Sequence, residues 1–428
     1  MFRIASIGMV RAASGSVFRG ACISVVGVAA MFCGASIGVF LAASMLGGCA
    51  ALSSASGAGQ FTQTELRTDR DPQSIAVVDL NHDGKLDIVV ANPIPGTVSV
   101  FLGDGAGHFQ LAPGSPFSAG AAPSDIGVGD FNGDGNLDLI APNTQTPYVS
   151  LFLGDGKGGF HPAAHSPLAT KSYPHPHGVA VGHFCGSDKP LDAMIDSWGN
   201  SQVELLIGDG AGNLTNGPMF PAGPGSDLPL RSADFNRDGL PDIVMPDTAI
   251  GHWNVEQASV LLGDGKCGFR AAQGSPFPAG AVPWSVAIGD MNGDRNPDFV
   301  ITPYGAQVKD KARIAATILV GDGKGGFAAM SGSPFRLTGC DNPGNVATGD
   351  FNGDGVRDFV VTCMGSDDVL LFQGKKTGGY ALTTVAVAGG RGELINRGVA
   401  LTDLTGSGRE DILVSGPSSG TITILHVK

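Results

Sequence analysis

A short acidic phrase recurs seven times along this chain, at intervals of 51 to 60 residues. The seven copies begin at Asp79, Asp130, His183, Asp234, Asp290, Asp350 and Asp403. Repeats of roughly this length that contain several short strands are typical of β-propellers, in which each repeat forms one blade of a closed ring. Because the copies extend over most of the chain, we expect one large repeat domain rather than several compact domains.

Each repeat contains four short apolar runs. In the first repeat, IAVV precedes the acidic phrase, DIVVA ends it and continues beyond, and TVSVFLG comes after a variable turn. A glycine-rich turn, GDGAGHF, then leads to the fourth run. Short apolar runs bounded by Gly, Asn, Asp and Pro are typical of strands. The sequence therefore predicts an all-β protein, a seven-bladed β-propeller of four-stranded antiparallel blades.

The two ends of the repeat region indicate how the ring closes. The segment GAGQF at 57–61 matches GAGHF at 105–109, which is the turn before an outer strand. We therefore expect an outer strand at about residues 61–66. Residues 421–427 read as a third strand with no fourth run after them. We expect these two strands to pair, which completes the last blade and leaves no open sheet edge.

Five copies of the acidic phrase read D-x-N-x-D-(G/R)-x-x-D. Carboxylates and an amide set so closely in a tight turn form an oxygen-rich site of the kind that Ca²⁺ prefers. An EF-hand loop is excluded, because it requires a glutamate at its twelfth position, where this chain has apolar residues such as Val90 and Ala141. The alternative is a set of turns without metal, but such turns need only one or two Asp or Asn.

The acidic phrase and the run F/V-x-x-G-D-G-x-G-x-F together resemble the FG-GAP (VCBS-type) repeats of integrin α-subunit propellers and many bacterial surface proteins. The resemblance covers about residues 60 to 428. It implies four to five structural Ca²⁺ ions, held by side chains at positions one, three, five and nine of each loop. The implied ligands are Asp79, Asn81, Asp83, Asp87, Asp130, Asn132, Asp134, Asp138, Asp234, Asn236, Asp238, Asp242, Asp290, Asn292, Asp294, Asp298, Asp350, Asn352, Asp354 and Asp358.

Two copies depart from this pattern, and a third that follows it differs from the others at its sixth position. The third copy, from His183, has one extra residue and places Lys189 in the loop, so we expect no metal there. The seventh copy, from Asp403, replaces two ligands with hydroxyl residues and predicts a weak or empty site. In the fifth copy Arg295 stands where four others have glycine. We expect a positive φ at Arg295, which costs roughly 1 kcal/mol for a residue with a side chain.

Residues 1–48 have the pattern of an export signal. Arginines precede an apolar stretch of small residues, and the tetrapeptide LGGC that ends at Cys49 resembles the lipobox of bacterial lipoproteins. This pattern predicts a lipoprotein-type signal peptide over 1–48, a short flexible linker over 49–59 and the propeller over 60–428. Cys49 is the expected lipidation site and the membrane anchor.

Two alternatives to the lipoprotein interpretation stay open. The apolar stretch from Ala21 to Met45 could remain as a membrane anchor, or the protein could be secreted in soluble form. All three interpretations place the propeller outside the cytoplasm. Because Ala50 is not the Asp that usually retains lipoproteins at the inner membrane, the outer membrane or cell surface is favoured.

Four cysteines follow the predicted lipidation site, at Cys185, Cys267, Cys340 and Cys363. An oxidising compartment allows two disulfides, with three possible pairings. Cys340 and Cys363 are the pair closest in sequence and lie within one repeat, so this pairing is the one we favour.

The expected function is binding. The net charge of −13 argues against nucleic acid as a partner. In this family the loops opposite the metal sites are the irregular ones, and we expect a protein or glycan ligand there. Aromatic residues on these loops are candidate contacts, with packing over the propeller mouth as the alternative role. They are Trp198, Trp253, Tyr148 and Tyr304, with His252 beside them.

Two other functions stay open. No nucleophile elbow, zincin helix or dinucleotide loop is present, so no catalytic residue is predicted. A carbohydrate-active enzyme, a lyase or hydrolase, could still use the centre of the ring, and it predicts His, Arg, Tyr or carboxylates at the channel mouth. The third option is an architectural subunit of an envelope complex. Four histidines between His161 and His177 are more typical of a link between blades than of a metal site.

Overall fold

The computed structural model of the protein describes residues 60–197, 201–223, 229–247, 254–340, 342–389 and 397–428. The predicted signal, linker and lipidation site lie outside these residues, as do Trp198, His252 and Trp253. Within the described ranges, no helix is long and apolar enough to cross a membrane.

The described chain consists of short strands that follow the four-run pattern in each repeat. The inner strands, which lead into the acidic phrases, are Ile75–Val78, Gly127–Gly129, Val179–Gly182, Arg231–Ala233, Pro283–Gly289, Pro343–Gly349 and Val399–Thr402. The second strands, which start at the last aspartate of each phrase, are Asp87–Asn92, Asp138–Asn143, Asp192–Ser197, Asp242–Pro246, Asp298–Pro303, Asp358–Cys363 and Asp411–Gly416. The third strands are Thr97–Gly103, Tyr148–Gly154, Gln202–Gly208, Gln257–Gly263, Ala315–Gly321, Asp368–Gly374 and Thr421–Val427.

The outer strands are less regular. In blades one, two, four and five each outer strand is broken into two pieces, Phe109–Leu111 with Phe117–Ser118, Phe160–Pro162 with Leu168–Ala169, Phe269–Ala271 with Phe277–Pro278, and Phe327–Ala329 with Phe335–Arg336. The outer strands of blades three and six are Leu214–Pro221 and Tyr380–Ala386. Two short 3-10 helices, Gly305–Gln307 and Lys311–Arg313, lie between the second and third strands of blade five.

These strands form seven separate antiparallel sheets, one for each repeat, and the sheets are arranged in a ring. The predicted seven-bladed propeller is therefore confirmed. Among the described residues, strand pairing does not continue from one sheet to the next, and apolar packing is one of the contacts that hold neighbouring blades together. The second strands are buried along their whole length, as in Asp87–Asn92. Apolar side chains of neighbouring blades meet there, as Ile88 of blade one does with Leu413 and Ile424 of blade seven.

The seventh blade is completed by the strand nearest the N-terminus of the described chain. Phe61–Arg67 pairs antiparallel with Thr421–Val427, with Phe61 opposite Val427 and Arg67 opposite Thr421. This is the closure that the sequence predicts. It covers the edge of the last third strand that would otherwise be open to another chain.

Two disulfides are present. Cys340 pairs with Cys363, which confirms the favoured pairing. The second disulfide, between Cys185 and Cys267, crosses from blade three to blade four. Cys185 lies in the acidic loop of blade three, and Cys267 lies in the glycine-rich turn that follows the third strand of blade four.

One buried cation holds the last two blades together. Arg397 is fully buried and donates hydrogen bonds to five backbone carbonyls. The acceptors are the oxygens of Ser415, Cys363, Ser366, Asp368 and Val387, at 2.6–3.3 Å. Burial lowers the pKa of this guanidinium to about 10. Carbonyl dipoles from both blades thus solvate a charge that water cannot reach.

Candidate functional site

Each acidic loop joins the inner strand of a blade to its second strand, so all seven loops lie on one face of the ring. We call this the acidic face. In blade one, the first aspartate accepts backbone hydrogen bonds from positions five and six, Asp83 and Gly84, at 3.2 and 2.9 Å. Asn81 accepts from Asp83 N–H at 3.1 Å, and Asp83 accepts from Lys85 N–H at 2.9 Å. The acidic side chains therefore shape the loop as well as charging it.

The sixth position of the loop needs a left-handed backbone, because its N–H turns back to the first aspartate. Gly84 has φ +79° and Gly355 has φ +81°. Arg295 adopts the same conformation, with φ +68°, as predicted, and its N–H lies 2.9 Å from the Asp290 carboxylate. The loop of blade five thus keeps its shape at the expense of backbone strain.

The ninth aspartate has a structural role that the sequence does not reveal. In blade one, Asp87 is fully buried; its Oδ2 accepts the Leu80 N–H and its Oδ1 accepts the Gly103 N–H, both at 2.9 Å. The carboxylate thus joins the start of the acidic loop to the end of the third strand. The same pair of bonds is made by Asp138, Asp192, Asp242, Asp298 and Asp358.

This bridging role continues where the metal ligands are lost. Asp192 lies in blade three, where no metal is predicted, yet it accepts the Cys185 and Gly208 N–H groups at 3.0 Å. In blade seven, Asp411 accepts the Leu404 N–H at 3.2 Å, and the ring of His426 lies 3.1 Å from its other oxygen. The recurrence of the last aspartate therefore reflects a backbone bridge in six blades and, in blade seven, a bridge from the Leu404 N–H to the His426 ring, and not a cation alone.

We predict that Asp192→Asn lowers the free energy of unfolding by about 1–3 kcal/mol, because the new amide NH₂ faces a backbone N–H that then lacks an acceptor. Urea unfolding measures the change, and it should be the same with Ca²⁺ or with EDTA. Asp188→Asn is the matched control, since Asp188 is an exposed residue of the same loop. Equal stability of the two variants would contradict the bridging role.

Crowded carboxylates characterise the loops that carry the full ligand set. Burial, together with the nearby Asp350 and Asp354 carboxylates, raises the pKa of Asp358 to about 7. Burial likewise raises the pKa of Asp242 and of Asp298 to about 6, with the same contribution from the acids of their own loops. Negative charge on these buried ninth aspartates is thus unfavourable when no cation balances it.

The donor set of these loops fits a hard cation. The structure brings positions one, three, five and nine into one short turn in each of the five loops. Across the described ranges, however, no group of three or more His, Cys, Asp or Glu side chains is placed so that it could hold a metal ion. The remaining donors would be the asparagine oxygen and a backbone carbonyl. Each carboxylate oxygen that accepts one N–H keeps a second lone pair for a cation.

The opposite face carries the connections between second and third strands and the links between blades; we call it the loop face. At its centre, the starts of the inner strands surround a cavity of about 70 Å³. Polar residues from several blades line it, among them Ser74, Asp125, His177, Arg231 and Asn345. The sequence predicts residues of this kind at the channel mouth only for the enzyme alternative.

Large apolar side chains are exposed on the loop face of three consecutive blades. Tyr148, at the start of the third strand of blade two, is 38% exposed, and Tyr173, in the link to blade three, is 69% exposed. Ile94, in the corresponding turn of blade one, is 43% exposed. Tyr304 differs, because its ring stacks on Trp284 at 4.5 Å and covers the loop of blade five. Of the predicted aromatic contacts within the described residues, Tyr148 is therefore exposed and Tyr304 is half-buried.

The four histidines of the histidine-rich segment lie in two separate places. His175 and His177 are in contact, with ring centroids 4.8 Å apart, and His177 also lies 3.3 Å from Asp196. His161 and His165 are exposed on the outer part of blade two. Burial, together with the neighbouring His177, lowers the pKa of His175 to about 4. The first part of the segment thus belongs to the outer strand of blade two, and the part after Ala169 is the link to blade three.

Comparison with known families identifies the repeat. The FG-GAP-like repeat family matches residues 79–141 and 350–414. The first match contains the acidic loops of blades one and two, and the second contains those of blades six and seven. No curated protein matches the chain.

Solved structures show the same ring with little sequence similarity. A putative 6-phosphogluconolactonase from Bacteroides fragilis is 18% identical, with a TM-score of 0.54, over 74% of this chain and 84% of that one. Virginiamycin B lyase from Staphylococcus aureus is 13% identical, with a TM-score of 0.51, over 86% and 100%. Sqt1 from Saccharomyces cerevisiae is 8% identical, with a TM-score of 0.54, over 86% and 99%. At these identities the likeness concerns the fold alone.

Family and architecture therefore agree. The acidic loops match the FG-GAP-like repeat at two places, and the blades that carry them stand in a seven-membered ring. This chain is an FG-GAP repeat β-propeller protein.

Proposed function

We propose that this protein is an exported binding module, a propeller fastened by Ca²⁺ on its acidic face that recognises a protein or glycan through its loop face. The observation that carries the proposal is the exposure of Ile94, Tyr148 and Tyr173 on the loops of three consecutive blades. Exposed tyrosines give large contact areas at low entropic cost and stack well on sugar rings or pack against protein side chains.

The contrast between the two faces supports this assignment. On the acidic face the same loop recurs in blade after blade, which suits a role in holding the ring together. On the loop face the connections differ in length and sequence, as in blade five, where two 3-10 helices lie between the second and third strands. Binding residues are commonly carried on variable loops that a rigid scaffold positions.

Calcium is the cation that the acidic loops suit best. Their donors are carboxylate and amide oxygens, and the loops combine several negative charges in one turn. The ions would occupy the five loops from Asp79, Asp130, Asp234, Asp290 and Asp350, with the four ligand positions of each as given above. When bound, Ca²⁺ supplies charge neutralisation and cross-linking of the loop, and no chemistry on a substrate.

The disulfides and the N-terminal sequence support export. Two disulfides suit an oxidising compartment, where such bonds persist. We propose that Cys49 is lipidated and anchors the protein to the outer membrane or cell surface. Two signals are usually needed for stable anchoring, and a lipoprotein cysteine supplies several acyl chains.

A carbohydrate-active enzyme is the second candidate. The observation that favours it is the group of polar residues at the channel mouth, with Asp125, His177 and Arg231 contributed by blades two, three and four. Conversion of a polysaccharide by the protein, lost in variants of these three residues, would establish this candidate in place of pure binding.

A binding screen tests the proposed function. The full chain is applied to immobilised glycans and to purified cell-surface proteins, and a ligand in one of the two sets is expected. Tyr148→Ala and Tyr173→Ala should each raise the Kd by about tenfold, as loss of an aromatic contact does at interfaces. Leu382→Ala is the matched control, because Leu382 is similarly exposed on the outer strand of blade six. Absence of ligands in both sets, or unchanged binding by both tyrosine variants, would refute the proposal.

A further inference from the structure

Two charged residues interrupt the repeat on the inner strands. Three residues before the acidic phrase, the other six blades have a small residue: Ala76, Gly127, Ala180, Ala287, Ala347 and Ala400. Blade four has Arg231 at this position. Five residues before the phrase, six blades have an uncharged residue: Ser74, Gly178, Pro229, Ser285, Asn345 and Gly398. Blade two has Asp125 there. Neither charge is needed to build a blade, since the other blades form without one.

These two residues meet at the channel mouth. Arg231 Nη1 lies 3.1 Å from Asp125 Oδ2, so a side chain of blade four reaches one of blade two across the start of blade three. Asp125 Oδ1 accepts the Ser74 hydroxyl at 2.8 Å and its own neighbour's N–H, that of Ile126, at 3.0 Å. Its Oδ2 also accepts the Val179 N–H at 3.4 Å. With four donors around it, the carboxylate has no capacity left for a ligand and serves to hold Arg231 in place.

The guanidinium of Arg231, by contrast, uses only part of its hydrogen-bond donors. Nη1 donates to Asp125 and, at 2.9 Å, to the carbonyl of Leu230, which accounts for both of its hydrogens. Within the described part of the chain, Nε and Nη2 of Arg231 have no hydrogen-bond acceptor. The side chain is 40% exposed and lines the cavity. The N–H groups of Nε and Nη2 can bind a planar carboxylate in a bidentate manner, through two parallel hydrogen bonds.

Size and polarity of the cavity narrow the choice of ligand. Its volume of about 70 Å³ holds a few waters or a carboxylate with its first carbon atoms, but not a whole sugar ring. Ser285 and Asn345 add polar groups to the wall, and Val346 and Val399 add apolar ones. Because Asp125 already lies against Arg231, a dianionic phosphate would meet more repulsion here than a monoanionic carboxylate does.

We propose that the channel mouth binds the carboxylate of a small organic acid, such as an acidic sugar, with Arg231 as its anchor and Asp125 as the residue that positions Arg231. The carboxylate enters the cavity and the rest of the ligand extends towards the loop face. The proposal deepens the proposed function, since it assigns a ligand group to the centre of the same face.

Calorimetric titration of the full chain with glucuronate, acetate, glucose and inorganic phosphate tests this site. Glucuronate and acetate should bind, whereas glucose, which lacks the carboxylate, should not, and phosphate should bind at least tenfold more weakly than acetate. Absence of binding by glucuronate and acetate, or tighter binding of phosphate, would overturn the proposal.

Variants separate the site from the fold. The double variant Asp125→Ser/Arg231→Ala gives both positions the residues of other blades, so it should fold with an unchanged melting temperature and lose glucuronate binding at least tenfold. Arg231→Lys keeps the positive charge but loses the pair of N–H groups that binds a carboxylate. This variant should bind glucuronate several-fold more weakly. Arg67→Met, at an exposed arginine on the outer strand of blade seven, should leave binding unchanged. Glucuronate binding retained by the double variant would refute the site.

The same variants separate this proposal from the function of the whole face. Tyr148→Ala and Tyr173→Ala should keep acetate binding, since neither tyrosine lines the cavity. If the double variant lost no acetate affinity while the tyrosine variants lost the glycan or protein ligand, the carboxylate site would be wrong and the binding function would stand. If acetate binding depended on Arg231 but the screen gave no ligand, the carboxylate site would stand and the wider binding function would be wrong.

Discussion

Replacing Arg397 with methionine should lower the free energy of unfolding by about 3–5 kcal/mol, because five buried carbonyls lose their donor at once. Methionine fills much of the space of the arginine stem, so the loss reflects hydrogen bonds more than volume. The carbonyls belong to blades six and seven and to the link between them. The variant therefore weakens the contact where the ring closes.

Urea unfolding of the full chain measures this effect. Arg336→Met is the matched control, because Arg336 is exposed and donates one hydrogen bond, to the carbonyl of Ala312 at 2.8 Å. That control should lose less than about 1 kcal/mol. Arg397→Lys should fall between the two, since a lysine keeps the charge but cannot reach all five acceptors. A loss for Arg397→Met no larger than that of the control would contradict the role given to this residue.

Chelation of Ca²⁺ should lower the melting temperature strongly. At a free Ca²⁺ concentration a hundredfold above the Kd of a loop, each occupied loop adds about 2.7 kcal/mol of stability. Four to five loops would then contribute several times that amount. The physical reason is that the cation neutralises carboxylates that otherwise repel each other in a short turn. Thermal unfolding with EDTA and with excess Ca²⁺ measures the difference.

A single loop can be tested within the same experiment. Asp134→Ala removes the fifth-position ligand of the second loop and should reduce the Ca²⁺-dependent gain by about one loop's share. Asp188→Ala is the control, since it changes an acid in blade three, where no metal is expected. An unchanged melting temperature in EDTA would rule out structural calcium. A gain in stability from Asp134→Ala would contradict the proposed cage.

The fold is predictable because the same sequence features recur in every repeat. Apolar runs, acidic turns and glycine-rich turns recur in the same order, so each blade supports the interpretation of the others. The closure by residues 61–67 is predictable for the same reason, because an outer strand appears at one end of the repeat region and is lacking at the other. The conformation of Arg295 follows from the turn, since its position requires a positive φ.

The features that escape prediction depend on contacts between strands and between blades. In the sequence, Arg397 cannot be told from any other polar loop residue. The folded structure is needed to see that blades six and seven enclose it. The ninth aspartate reads as a cation ligand alone, because its bonds to the third strand join residues 16 or more positions apart. Asp125 and Arg231 carry a signal that alignment of the repeats reveals, as each is the only charged residue at its position. Their contact across the channel cannot be predicted from the sequence.

The bond between Cys185 and Cys267 gives one junction of the ring a different chemistry from the rest. Cys185 stands at the third position of its loop, where five other loops have the asparagine proposed to bind Ca²⁺. The loop that lacks this asparagine is thus tied covalently to the next blade, and the backbone N–H of Cys267 also donates to the carbonyl of Phe184 at 3.2 Å. If the five complete loops hold Ca²⁺ as proposed, scarcity of calcium would loosen those five loops but leave blades three and four joined. A reducing environment would do the reverse, so the two fastenings fail under different conditions and each protects the ring when the other is lost.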